Sequence, residues 1–294
     1  MNRDVVMKKV KLKSKTREMF AACLLVAPSL FGTALLYVLP CVLSLIGSVQ
    51  NDGHFSGTEN YTALFQNGAF RTAFKNTVIY NITAIPLLMI ISFLLAEYIR
   101  TLKHTGAFVR GILLVPVIVP SASVVNVWKV FFDDHGVING LLATVSLPTV
   151  QFFNSTFSIV MIVVIYIWKY CGITTLLFSL GLSTISSSII ENARLDGATC
   201  FQIMRKITLP LIVPTAFFVL LIEIICSFQI FRDIHLLFGR YPNERVYFLQ
   251  NYISNSYYNM NFSRLSAASV IISAITTAVL ILAYLFERSH NFTE

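Results

Sequence analysis

Charge is scarce in this chain. Only 12% of its 294 residues are Asp, Glu, Lys or Arg, about half the share of a soluble domain. Too few charges remain to clothe a water-facing surface, which excludes an ordinary soluble fold. The alternation of polar and apolar residues that a β-barrel wall needs is also missing. Cys23, Cys41, Cys171, Cys200 and Cys226 show no CxxC spacing, so there is no disulfide framework and no zinc site. His54, His104, His135, His235 and His290 are scattered, with no HExxH. The phosphate loop GxxxxGK[ST] is absent, so the chain cannot bind ATP in that way. No catalytic residue and no metal site emerges. Low-complexity tracts and a clear internal repeat are lacking as well.

What is present is apolar. Hydrophobic residues make up 56% of the chain, and the mean hydropathy is +0.72. A hydrocarbon core of about 30 Å needs roughly 20 apolar residues to cross. The runs predict an all-α, polytopic membrane protein with about six transmembrane helices. Residues 1–18 are a basic N-terminus carrying Arg3, Lys8, Lys9, Lys11, Lys13, Lys15 and Arg17. Residues 19–49 form the first span, too long for the apolar part of a cleaved signal, with bends expected at Pro28 and Pro40. Residues 50–74 form an interfacial segment. The remaining spans, within residues 75–288, run roughly over 75–99, 107–131 (with Pro116 and Pro120 inside), 156–182, 208–231 and 264–286. Residues 232–263 read as a polar, Tyr-rich outer loop, and 289–294 as a short C-terminus. Fourteen of the 22 Lys and Arg fall on the N-terminus, after span two (Arg100, Lys103, Arg110), between spans four and five (Arg194, Arg205, Lys206) and at Arg288. The positive-inside rule puts these segments, both termini included, in the cytoplasm. The net charge of +8 is then mostly topology, and no nucleic acid is implied.

Two charges lie at mid-membrane depth, Lys169 in span four and Glu223 in span five. Such charges are costly and face protein or water. They are expected to approach each other, as an ion pair or beside a solute cavity. Glu223 and Ser227 share a helix face, with Gln229 about a turn beyond. Tyr166, Trp168 and Tyr170 are aromatics that could pack in the core or against lipid, or present ring faces to a solute. Asn126 and Asn81 are weaker candidates, able to bond a neighbouring helix.

Between spans four and five lies the polar elbow 188–210. It reads as two short helices broken at Gly197, with Glu191 and Asp196 in the first, where acids near an N-terminus are favoured. Arg205 and Lys206 fall towards the end of the second, and Pro210 in the first turn of span five. Its pattern is Glu191-Asn192-Ala193, three residues, Gly197, nine residues, then Ile207-Thr208-Leu209-Pro210. This resembles the EAA loop of bacterial ABC-importer permeases, with Asn192 in place of the first Ala. ENYTALF, FKNTVIYN, the stretch from Phe108 to Phe132, GVINGLL and IWKYCG are similar to the carbohydrate-uptake, maltose-permease-like branch. FGRYP stands where many relatives carry Gly-Gly-Pro.

The resemblance implies a type I importer permease fold with cytoplasmic coupling helices in a bacterial cell membrane, and no enzyme activity in this chain. Glu191, Asn192, Ala193, Asp196, Gly197, Ile207, Leu209 and Pro210 would dock in a cytoplasmic ATPase, present in two copies and holding the ATP and Mg. A second permease would complete a heterodimer, and an extracytoplasmic binding protein would deliver a sugar. Tyr166, Lys169, Tyr170, Glu223, Ser227, Gln229 and Asn126 become candidates for the solute path. A stand-alone ion-coupled transporter and a membrane scaffold are the other readings.

Overall fold

The computed structural model describes residues 19, 22–51, 53–102 and 105–290. The basic N-terminal cluster, Lys103, His104 and the last four residues lie outside them. Among the described residues, five helices are long and apolar enough to span a membrane, or six if one bent pair counts as a span. The contacts divide into two units, one holding the chain up to residue 64 with 261–271, the other holding 65–260 with the chain from 272.

In the first unit, α1 (Ala22–Ser48) buries none of its most apolar window. Its turn Ala34–Val38 is a π turn, directly before Leu39-Pro40. A proline lacks the N–H of a regular turn and its ring crowds the carbonyl four residues back, and the wider turn relieves that conflict. Beyond α1, β1 (Gln50–Asn51) pairs antiparallel with β2 (His54–Phe55). Asn60 ties this hairpin down from α2 (Glu59–Gln66). Its amide donates to the Ser48 and Gln50 carbonyls at 3.0 and 2.9 Å.

In the second unit, α3 (Gly68–Thr101) is capped by Asn67, whose side chain accepts from Phe70 N–H. At 34 residues it is about 50 Å long, more than a bilayer core requires. α4 (Gly106–Ile118) and α5 (Ser121–Phe132) occupy the third apolar run. The expected span over 107–131 is broken between its two prolines rather than straight. The chain turns by 95° between α4 and α5. Val119, forced to extended backbone by the proline after it, has ψ 132, and Pro120 opens α5. α6 (Val137–Thr144) follows.

α7 (Phe157–Ser183) is the hub. Tyr166 packs edge-on against Tyr80 of α3 at 5.7 Å, and Phe178 likewise against Phe93. Gly172 lets the backbone of α4 approach: a Cβ there would lie 1.7 Å from Leu113 O.

α8 (Ser187–Leu195) forms the first half of the elbow. The second half is not a separate short helix. It opens α9, residues 200–227, which runs as an α-helical turn over Cys200–Ile203, a π turn over Met204–Thr208 and an α-helix over Leu209–Ser227. Arg205 and Lys206 therefore lie inside a continuous helix. The π turn again directly precedes a Leu-Pro pair, Leu209-Pro210. α10 (Ile230–Phe238) follows after a two-residue break. The expected outer loop is thus largely helical, because Asp233 and Ile234 of α10 are buried rather than solvated. α11 (Leu249–Tyr258) and α12 (Phe262–His290) complete the chain.

Candidate functional site

The membrane-depth charges fall into two separate clusters. Lys169 Nζ donates to both carboxylate oxygens of Asp233, at 3.0 and 2.8 Å, and to Ser121 Oγ at 2.9 Å. Asp233 is wholly buried. One ammonium thus pins the start of α5, the middle of α7 and the first turn of α10. Glu223 is equally buried, and its carboxylate oxygens accept from Tyr166 OH at 2.7 Å and Thr174 Oγ1 at 2.6 Å. The expected approach of Lys169 to Glu223 is therefore corrected: each has its own partners. Asp233, Ser121, Thr174 and Tyr80 were missed in the sequence. Asp233 had a legible signal, since Ile230, Ile234 and Leu237 place it on the apolar face of a short helix.

Of the candidate solute-path residues, Tyr166, Lys169, Tyr170, Glu223 and Ser227 are buried inside the second unit. Tyr166 and Tyr170 rings lie 4.9 Å apart. Ser227 Oγ donates to Ile224 O. Gln229, in the break between α9 and α10, is exposed and accepts from Tyr170 OH at 3.4 Å. Asn126 is exposed on α5. Trp168 turns outward and meets Trp128 edge-on at 5.8 Å. Past α10, the Arg240 guanidinium lies 4.5 Å from the Tyr258 ring and donates to Asn259 Oδ1 at 2.9 Å. There burial pushes the Tyr247 hydroxyl up, against a hydrogen bond from Asn255.

The elbow closes at Gly197, whose φ is +82, a conformation glycine adopts without steric cost. Ala198 N–H bonds Ala193 O and Gly197 N–H bonds Arg194 O, the paired bonds of a Schellman stop. α9 restarts on a reciprocal cap: Thr199 Oγ1 accepts from Gln202 N–H, and Gln202 Oε1 from Thr199 N–H. Glu191 does not lie near a helix N-terminus, because α8 begins four residues earlier at Ser187, and Asp196 is the C-cap. The dipole rationale for those two acids is withdrawn. Ile190, Ile203 and Thr208 are buried, while Leu195 is 85% and Phe201 66% exposed, so two large apolar side chains project on either side of Gly197. Behind α8 lies a cavity of about 670 Å³, between the end of α3 (Glu97, Arg100) and the elbow (Glu191, Arg194).

Residues 61–291 match the family described as "Binding-protein-dependent transport system inner membrane component". The inner membrane ABC transporter permease protein YcjO of Escherichia coli is 28% identical over 285 residues, covering 92% of this chain and 96% of that protein. The sn-glycerol-3-phosphate transport system permease protein UgpA of Rhizobium meliloti is 29% identical over 261 residues, covering 86% and 89%. Among solved structures, a bacterial ABC transporter involved in the import of the acidic polysaccharide alginate has a chain with TM-score 0.86 at 22% identity, covering 97% of this chain and 100% of that one. A second, the alginate transporter in complex with an alginate pentasaccharide-bound periplasmic protein, gives 0.85 at 23% identity, covering 96% and 98%.

Proposed function

This chain belongs to the family of inner membrane components of binding-protein-dependent transport systems, and on that premise we propose that it forms half of the translocation path of an ATP-driven sugar or oligosaccharide importer. A second permease supplies the other half. Two copies of a cytoplasmic ATPase hold the ATP and Mg, and both termini of this chain lie on their side of the membrane. An extracytoplasmic binding protein delivers the solute. The solute class draws support from relatives named for glycerol phosphate and alginate.

The observation that carries the reading is the elbow. Its Gly197 stop holds α8 as a separate short helix, and Leu195 and Phe201 project where a partner groove would receive them. Behind the elbow, α9 runs without interruption to Glu223 and Ser227. A push on the elbow therefore reaches the middle of the membrane through one stiff element. Gln229 and Asn126, being exposed, line the path. Tyr166, Lys169, Tyr170, Glu223 and Ser227 hold the helices behind it.

The test is reconstitution with the ATPase, partner permease and binding protein, with uptake and ATP hydrolysis followed over a panel of neutral, acidic and phosphorylated sugars and polyols. Hydrolysis stimulated by one of these solutes and coupled to its uptake is expected. Uptake that persists without any ATPase would overturn the proposal. Gly197→Val, strained by about 1–2 kcal/mol at a left-handed backbone position, is expected to weaken ATPase capture about 10-fold while the chain still inserts. Capture is read by co-purification.

A further inference from the structure

The cavity behind the elbow, at about 670 Å³, has the size of a small-molecule site. Leu195 and Phe201, the side chains offered to the ATPase, are not among its walls. Those walls have two parts. Leu94 and Tyr98 of α3, one turn apart on one face and both exposed, form an apolar part with Ile185, just before α8. Glu97 and Arg100 of α3 and Glu191 and Arg194 of α8 supply charge. Each helix brings one acid and one base three residues apart, so the four charges sum to zero. Glu97 and Arg100 pair loosely, Oε2 to Nε at 3.5 Å. Glu191 and Arg194 have no side-chain hydrogen bond or ion pair among the described residues. Depth matters as well. α3 is longer than a hydrocarbon core, so its charged end stands in the head-group layer. Tyr98 sits where tyrosines anchor at an interface, and Leu94 lies one turn nearer the hydrocarbon.

We propose that this cavity seats the head of one phospholipid bearing a primary amine, of the phosphatidylethanolamine class, whose chains leave past Leu94 and Tyr98. Charge selects the head. A purely anionic head would meet Glu97 and Glu191 with charge of the same sign. A head with an ammonium and a phosphate offers the first to the carboxylates and the second to the guanidiniums, in charge-assisted hydrogen bonds. A primary ammonium brings three N–H donors, whereas a quaternary choline brings none. The apolar part of the wall favours a lipid over free phosphoethanolamine. The inner leaflet as its source rests on the transport reading above, which places the elbow in the cytoplasm. Lipid retention is read without transport, so the two can fail separately.

The experiment uses the purified importer complex in mixed micelles holding equal amounts of dioleoyl phosphatidylethanolamine, phosphatidylcholine and phosphatidylglycerol. Retained lipids are counted by native mass spectrometry. One phosphatidylethanolamine per copy of this chain is expected, favoured about 10-fold over the other two. Glu97→Gln removes a partner of the ammonium, so it should lower phosphatidylethanolamine and leave phosphatidylcholine unchanged. Arg194→Gln removes a partner of the phosphate and should lower both. Leu94→Trp, at an exposed position, narrows the mouth without altering charge. It should lower every lipid, and it serves if a charge variant fails to assemble. Soluble phosphoethanolamine should displace nothing, because it has no chains to lie along the apolar wall. Equal retention of the three lipids, a preference for phosphatidylglycerol, or a preference that survives both Glu97→Gln and Leu94→Trp would overturn the proposal. So would displacement by phosphoethanolamine, or a complex that retains no lipid because the ATPase covers the cavity.

Discussion

Lys169→Met should leave a protein that inserts poorly and transports nothing, while Lys169→Met combined with Asp233→Leu should recover much of the lost stability. Removing one partner of a buried ion pair strands the other charge without water, at about 3–5 kcal/mol. Here the stranded group is Asp233, wholly buried and bonded by both oxygens to Lys169. Replacing both members by apolar side chains of similar size removes the stranded charge and is often neutral or better. The thermal midpoint of the purified chain should fall by roughly 10 °C in the single variant and return most of the way in the double one. Equal losses in the single and double variants would sink this account of the cluster. Charge exchange between Lys169 and Glu223 is not expected to rescue anything, since Glu223 is held by Tyr166 and Thr174. Transport by the double variant is a separate matter. It also loses the contact to Ser121, which anchors α5 just past the 95° turn.

Gly172→Ala should be more damaging still, although it adds a single methyl group. The new Cβ would lie 1.7 Å from Leu113 O and 2.3 Å from Leu113 C. These are backbone atoms of a helix, and no rotamer change clears them. α4 and α7 would have to separate along their crossing, where small residues allow close packing in a membrane. A cost above about 3 kcal/mol is expected, seen as loss of folded protein from the membrane fraction. Two companions calibrate it. Gly181→Ala would meet only the Thr215 side chain, nearest atom 2.4 Å, and should be milder and relieved by Thr215→Ala. Gly111→Ala has nothing within 4 Å and should be silent. If Gly111→Ala and Gly172→Ala behave alike, the crossing is looser than described.

Much of this architecture was legible in the sequence, for specific reasons. The apolar runs were long enough to count. Gly197 was recognisable as a stop because a chain reversal between two helices needs a positive φ. The elbow's spacing carried its family resemblance without any structure. What could not be read was partnership across the fold. Lys169 reaches Asp233 over 64 residues and Glu223 reaches Tyr166 over 57, and one buried cation with several acids to choose from does not identify its own partner. Pro120 was read as lying inside one span, and the sharp turn before α5 was not, because the direction of the chain there depends on what α5 packs against. Asp233 fell within residues 232–263, read as a polar outer loop. Its burial follows from α10 laying one face on the core.

The two π turns bear on how such a chain changes over generations. Met204–Thr208 holds one residue more than a regular turn would need. An α-helix advances about 100° per residue. Loss of one residue in that turn would let it close to a regular turn with the segments on either side kept in phase, whereas loss of one from the regular helix between Leu209 and Glu223 would swing Phe201 by about that angle relative to Glu223 and Ser227. The aim of Phe201 is thus encoded in the length of the regular helix beyond the turn, and Pro210 holds the wider turn open, because its ring crowds the regular turn that would replace it.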